Sequence, residues 1–230
     1  MKVRSERISI IIPVLNEEKF LPATLANTQL GKEVEVIVVD GGSQDGSAQL
    51  AQSLGMKVLS ARGGRASQMN AGALAATGDI LLFLHADTLL PKEFDALVRQ
   101  AMKQPLAIAG AFALRIDTSL FGLRAIESGV NWRSRWLQMP YGDQAIFLKT
   151  KVFHDMGGFQ TLPIMEDFEL MLRLRRKGRI VIISVPVLTS GRRWQKLGVM
   201  KTTLINQLVI IAYLLGVPPE RIVRWYRCNR

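Results

Sequence analysis

The chain has 230 residues, 48% of them hydrophobic and 21% charged, with one cysteine, Cys228. This length supports one core-forming domain with or without an appendage, and the composition excludes a fibrous or disordered chain. The lone cysteine excludes an internal disulfide and a zinc ribbon and fits a reducing compartment.

Lys and Arg exceed Asp and Glu by 11. Seven of those charges lie between Arg192 and Arg230, where Arg192, Arg193, Lys196, Lys201, Arg221, Arg224, Arg227 and Arg230 face Glu220 alone. Such a surface is expected to attract nucleotide phosphates, other polyanions or anionic lipid.

At the start, Lys2, Arg4 and Arg7 precede the apolar run Ile8 to Leu15 and imitate a signal peptide. Pro13 interrupts the run and Asn16-Glu17-Glu18 ends it, so the expected location is the cytoplasm. Ile8 to Val14 and Val34 to Val39 are β-branched runs interrupted only by Ser9, Pro13 and Glu35, the pattern of strands buried on both faces of a parallel sheet. A helix lies between them, with Pro22 in its first turn. The alternation continues with a helix over Asp45 to Leu54, a strand over Lys57 to Leu59, a helix over Ser67 to Ala76 and a strand over Asp79 to Leu84. After Pro91 a helix runs to Lys103 and a strand covers Ala107 to Ile116. Phe121 to Leu137 is helical, with Trp132 and Trp136 expected as packing anchors. Gly142 to Lys149 reads as a strand, Glu166 to Lys177 as a helix and Ile180 to Leu188 as strand. The fold class is α/β, a doubly wound, mostly parallel sheet flanked by helices.

In such sheets ligands bind beyond the carboxyl ends of the strands, where four groups stand out. Asp40-Gly41-Gly42-Ser43 allows a sharp turn and a close approach to a flat ligand, or is only a tight turn capped by Ser43 or Asp45. It is neither a dinucleotide fingerprint nor a nucleophile elbow. His85-Ala86-Asp87 sets an imidazole and a carboxylate where a divalent cation can bridge a diphosphate, or Asp87 or Thr88 caps the next helix. Glu166-Asp167 at a helix start offers a general base for an acceptor hydroxyl, and chemistry alone does not choose between the two. Arg192-Arg193-Trp194 offers guanidinium groups to a departing diphosphate, or is a solvated or lipid-facing patch.

In this order Ile11-Ile12-Pro13-Val14-Leu15-Asn16-Glu17-Glu18, Val38-Val39-Asp40-Gly41-Gly42-Ser43, His85-Ala86-Asp87 and Glu166-Asp167 resemble glycosyltransferase family 2, over about Ile8 to Trp194. Gly64-Arg65-Ala66-Ser67-Gln68-Met69-Asn70 and Trp225-Tyr226-Arg227 look like a bacterial subfamily tied by gene neighbourhood to arsenosugar biosynthesis.

The resemblance implies a GT-A fold and an inverting, hexosyltransferase-type transfer from a nucleotide-diphosphosugar donor, commonly UDP-linked, to an acceptor hydroxyl on a small molecule or a lipid-linked group. It implies that Pro13, Leu15, Glu17, Asp40 and Arg65 contact the nucleotide and that Asp87 holds Mn2+ or Mg2+ at the diphosphate, with His85 the second ligand that the residues themselves offer. Asp167, beside Glu166, would be the base, and Arg192 and Arg193 would stabilise the leaving group. Two departures are plain. His85 stands where the family's D-x-D triad has an aspartate, and the Arg192-Arg193-Trp194 segment lacks the glutamine of Q-x-x-R-W.

Residues 1–194 are therefore expected to form the catalytic domain and 195–230 a helical tail. On a helix from Pro218, Arg221, Arg224 and Arg227 share one arc and Ile222, Val223, Trp225 and Tyr226 the other, an interfacial pattern that suits an anionic membrane surface. The alternative is that Leu204 to Val217 packs on the domain or pairs two copies into a homodimer. The run Leu208 to Val217 is too short to span a bilayer. Two rival functions are a nucleotidyltransferase, disfavoured by the acidic loop after the first strand, and a nucleic-acid-binding module. The latter is disfavoured because aromatic and basic residues do not alternate over a strand platform, so no nucleic-acid partner is expected.

Overall fold

A computed structural model describes residues 5–228. Lys2, Arg4 and Arg230 of the charge pattern lie outside the described residues. The chain runs β1 (Ile8–Val14), α1 (Leu21–Thr28), β2 (Val34–Asp40), α2 (Ser47–Ser53), β3 (Lys57–Ser60), α3 (Arg65–Leu74), β4 (Ile80–Phe83), β5 (Thr88–Leu89), α4 (Phe94–Met102) and β6 (Ala107–Asp117). It continues with α5 (Leu123–Leu137), a 3-10 turn (Gly142–Gln144), β7 (Phe147–Lys149), α6 (Thr150–Asp155), α7 (Glu166–Arg175), β8 (Arg179–Ser190), α8 (Arg192–Leu197), α9 (Val199–Leu214) and α10 (Pro219–Cys228).

The described strands form one sheet in the order β3-β2-β1-β4-β7-β6-β8-β5. The first four in that order are parallel, with Ile8 opposite Val34 and Ile80, and Asp40 opposite Ser60. β7 inserts antiparallel between β4 and β6, and β6 and β8 are again parallel. The period-2 alternation of the strands sorts the core. Ile8, Ile10, Ile12, Val14, Val38 and Leu82 point to one face, where Leu21 and Leu25 of α1 and Phe94 and Val98 of α4 cover them. Ile11, Ile37, Val39, Leu81 and Phe83 point to the other, under Met69 of α3, Phe153 of α6 and Leu170 and Met171 of α7.

Several expectations change. Of Gly142 to Lys149 only Phe147–Lys149 is strand. Trp132 and Trp136 are not anchors: they are 60% and 69% exposed, because α5 turns Leu123, Glu127 and Ser134 inward and these two indoles lie on the opposite side. In α10, Ile222 of the supposed lipid-facing arc is only 3% exposed and joins the core of the second face together with Val209 of α9. Tyr213 of α9 meets Phe168 of α7 edge-on at 5.6 Å. Among the described residues no helix is long and apolar enough to cross a membrane.

Candidate active site

The carboxyl ends of β1, β2 and β4 meet at one edge, and their loops are stitched together before any ligand is considered. Asn16 accepts from the Gln44 N–H and donates its own N–H to the Ser43 hydroxyl, at 2.8 and 2.9 Å. The Glu17 N–H donates to the Ser47 hydroxyl at 2.8 Å, and the Gly46 N–H donates to Glu18 at 3.1 Å. Gln68 of α3 is buried and donates from Nε2 to the carbonyls of Val14 and Val39, at 2.8 and 2.7 Å, which clamps the ends of β1 and β2. α3 can begin so close to β3 because Gly63 and Gly64 take φ of +106° and +95°, which side chains rarely allow.

Asp40 is buried, and its carboxylate accepts from the N–H groups of Gly42 and Ser43 at 2.9 to 3.2 Å. The carboxylate itself therefore organises the turn, a task the sequence had offered to Ser43 or Asp45. Asp45 holds the next bend by accepting from the Ser47 N–H at 3.0 Å.

Two charged groups sit beyond β4. In the first, Arg192 at the start of α8 reaches across to Glu17, donating to both carboxylate oxygens at 2.7 and 2.5 Å, and lies 3.1 Å from Asp87. Its guanidinium also stacks 4.8 Å over the ring of Phe20. The fork matches a carboxylate in two-point fashion, and the Glu17 hydrogen bonds raise the arginine's pKa. Burial raises that of Asp87, while Arg192 opposes the shift.

In the second group Arg65 lies 3.3 Å from His85 Nε2 and 3.7 Å from Glu166. Burial, then the charges of Arg65 and Arg192, hold His85 well below the usual imidazole range. The ring is neutral at pH 7 and faces the guanidinium with a lone pair. Glu166 is pushed up by burial, against the pull of Arg65 and with the help of Asp167. Asp167 accepts from the Gly142 N–H at 2.6 Å and from the Phe168 N–H at 2.8 Å. Pro13, Arg65, His85, Gly142, Glu166 and Asp167 thus line one cleft.

The structure therefore gathers Pro13, Arg65, His85, Glu166 and Asp167 around that cleft and places Glu17, Asp87 and Arg192 in a bridged triplet reached through the same strand end. Leu15 is 55% exposed at the rim. Asp40 turns into its own loop, and Arg193 stacks 4.8 Å over Tyr226 of α10. Sequence reasoning missed Gln68, Phe20, Arg133 and Asp143. The polar triplet Gly142-Asp143-Gln144, out of place in a strand, was the available signal for the last of these.

The donor chemistry limits a metal. Among the described residues no three His, Cys, Asp or Glu side chains converge as a ligand set, and the free nitrogen of His85 is turned to a cation. A divalent ion fits here only with Asp87 as a protein carboxylate and diphosphate oxygens completing its shell, the usual habit of Mg2+ at phosphates.

Comparison with known proteins defines the class. Over 80% of this chain and 60% of the solved chain, the fold superposes with a TM-score of 0.67 and 19% identity on S. aureus TarS residues 1–349 in complex with UDP. The mannosyltransferase PcManGT of Pyrobaculum calidifontis, in complex with GDP-Man and Mn2+, gives 0.65 at 21% identity over 82% and 57% of the two chains. The architecture is GT-A. Residues 9–165 match the family described as Glycosyl transferase family 2, and the chain belongs to that family. It is 28% identical over 199 residues to the undecaprenyl-phosphate 4-deoxy-4-formamido-L-arabinose transferase of Pseudomonas aeruginosa strain LESB58, covering 80% of this chain and 53% of the relative. The protein of that name from Pseudomonas fluorescens strain SBW25 is 37% identical over 108 residues, 41% and 32% of the two chains. The chain spans about half the length of the first of these relatives and a smaller share of the second.

Proposed function

We propose that the chain transfers a sugar from a nucleotide-diphosphosugar, UDP-linked in the first instance, to an acceptor hydroxyl by an inverting single displacement. The observation that carries this is the placement of Asp167 in a cleft it shares with Arg65 and His85, one strand end away from the Glu17–Arg192–Asp87 triplet. The acceptor oxygen bonds to the anomeric carbon while the bond from that carbon to the diphosphate breaks. The acceptor's proton passes to Asp167, and the electron pair leaves on the diphosphate. Arg192, with Arg65, supplies positive charge where the departing diphosphate gains negative charge. Asp87 is the residue that would hold a divalent cation, Mn2+ or Mg2+, whose bound charge would add to that of the two arginines. Neutral His85 keeps Arg65 oriented by accepting its N–H. Asp167 is preferred to Glu166 as base because Glu166 is committed to Arg65.

The neighbours of known structure hold UDP or GDP-Man with Mn2+, which supports the donor class. Thermal stabilisation by a panel of nucleotide-sugars, with and without Mn2+, tests it: one nucleotide class should raise the melting temperature. Asp167→Asn should lower transfer by about 10² to 10⁴-fold while nucleotide binding persists. No stabilisation by any nucleotide-sugar, or normal turnover by Asp167→Asn, overturns the reading.

The exposed outer face of α9, with Met200, Leu204, Leu208, Ile211 and Leu215, supports peripheral contact with a membrane. These residues fall on one helical stripe, and Arg221, Arg224 and Arg227 of α10 are exposed beyond its end. An apolar stripe with basic neighbours suits the interface of an anionic leaflet. Flotation of the chain with phosphatidylglycerol vesicles should fail for Leu204→Glu/Leu208→Glu. Equal flotation of both, or none by either, removes the membrane contact, and a concentration-dependent dimer that the substitution dissolves assigns the stripe to a second copy.

A further inference from the structure

Beside Asp167 lies a pair of groups that the proposed reaction does not use. Arg133 on α5 packs its guanidinium 3.5 Å over the ring of Tyr141 and donates from Nε to the Met139 carbonyl at 3.2 Å. Asp143 sits in the 3-10 turn, one residue after the glycine that holds Asp167. Arg133 Nη2 and Asp143 Oδ1 are both closed off from solvent, and neither has a hydrogen-bond partner among the described residues. The two side chains attract each other without closing into an ion pair, and both feel the charge of Asp167. Buried polar atoms in native proteins are nearly always satisfied, so two orphans of opposite kind next to a candidate base call for a missing partner.

Resting on the reading of Asp167 as base, we infer that Arg133 and Asp143 form the acceptor subsite and recognise a hydroxyl of a neutral polyhydroxyl acceptor. A hydroxyl supplies both missing halves: its oxygen accepts from Nη2 and its proton goes to Oδ1. A phosphate dianion has no proton for Oδ1. It would also meet the carboxylates of Asp143, Glu166 and Asp167 against only two guanidinium groups, Arg65 and Arg133. The acceptor class thus differs from the undecaprenyl phosphate for which the arabinose transferases are named. Gln138 and Ala145 flank the segment that carries Asp143, with φ of +51° and +49°.

The test is ligand-observed NMR on the full chain with UDP present, using methyl β-glucopyranoside and glycerol as polyol probes and decyl phosphate as the phosphate probe. A polyol should bind saturably, and Asp143→Asn and Arg133→Gln should each weaken it at least tenfold. Asp143→Glu and Arg133→Lys, read the same way, should recover part of the loss, and UDP calorimetry on each variant shows that it is folded. Decyl phosphate should not displace the polyol. Lack of polyol binding to the unaltered chain, equal binding by folded variants, or displacement by decyl phosphate overturns the inference. Failure of UDP itself to bind the unaltered chain strikes the donor reading instead.

Discussion

Gly142→Ala tests the placement of the base most directly. Gly142 does not have a positive φ, so its backbone admits alanine. A methyl added there would lie 2.9 Å from Asp167 Oδ2 and 3.1 Å from His85 Nε2. That is roughly 0.5 Å inside ordinary contact, and Asp167 is the neighbour forced to give, because its Oδ2 also accepts the 2.6 Å hydrogen bond from this residue's N–H. A 1 Å misplacement of a reacting group costs about 10²-fold, so half that distance predicts about a tenfold fall in kcat, or ~1.4 kcal/mol. The stability cost should be only about 1 kcal/mol, the low end for overpacking. Transfer is measured at saturating donor and acceptor, alone and in the Asp167→Asn background. In that background the added methyl should cost almost nothing, since there is no base left to displace. Full kcat in Gly142→Ala, or the same tenfold loss in both backgrounds, refutes the assignment of Asp167.

Asp87→Ala should remove any enhancement of nucleotide affinity by Mn2+ in calorimetry, and an undiminished enhancement would exclude Asp87 as the ligand. Asp143 is pushed up to about 6, chiefly by burial, with Arg133 pulling it down, Asp167 pushing it up and Arg65 opposing. A carboxyl raised on folding holds its proton more tightly in the native state. Its contribution is therefore most favourable below the unfolded value near 4 and is lost as pH rises through about 6, amounting to on the order of 1–3 kcal/mol. Asp143→Asn should accordingly be more stable than the unaltered chain at pH 8 and equal to it near pH 4 in urea unfolding; equal stability at both would show that the carboxyl is not strained. Arg173 donates to both oxygens of buried Glu169 and to the carbonyls of Met156 and Gly158, all at 2.6 to 2.7 Å. Arg173→Met strands that carboxylate and should cost about 3 kcal/mol of unfolding free energy, a loss that equilibrium denaturation will show or deny.

The elements that declared themselves in the sequence are those whose burial is two-sided. Ile8 to Val14 and Val34 to Val39 are apolar at every position but Ser9 and Glu35 because both faces of the sheet are covered. β5 has two residues and β7 three, too few for any periodicity. The indoles of Trp132 and Trp136 carried a misleading signal, since an aromatic pair four apart marks a helix face but does not say whether that face is inside. At the site, the residues following the strands could be nominated from the topology alone. Their partners could not, because Glu17 and Arg192 lie 175 positions apart and Arg65 meets Glu166 only after α3 and α7 have packed on the same face. Asp143 was hidden for a different reason: its importance lies in a hydrogen bond that it does not make.

The pairing of the site has a consequence for binding. Glu17 and Asp87 share Arg192, and Glu166 shares Arg65 with His85, so every carboxylate among these is answered by a guanidinium before a donor arrives. A nucleotide-diphosphosugar approaching alone would have to compete with carboxylates for the same arginines and would meet Asp87 as a repulsive neighbour. On the proposed reading, a donor arriving with a divalent cation would exchange partners instead: Asp87 would hold the cation while Arg192 would turn to the diphosphate, and the number of unpaired charges would not rise. Such an exchange would couple Asp87 and Arg192, which already pair at 3.1 Å. Replacing both should cost donor affinity clearly less than the sum of the single replacements.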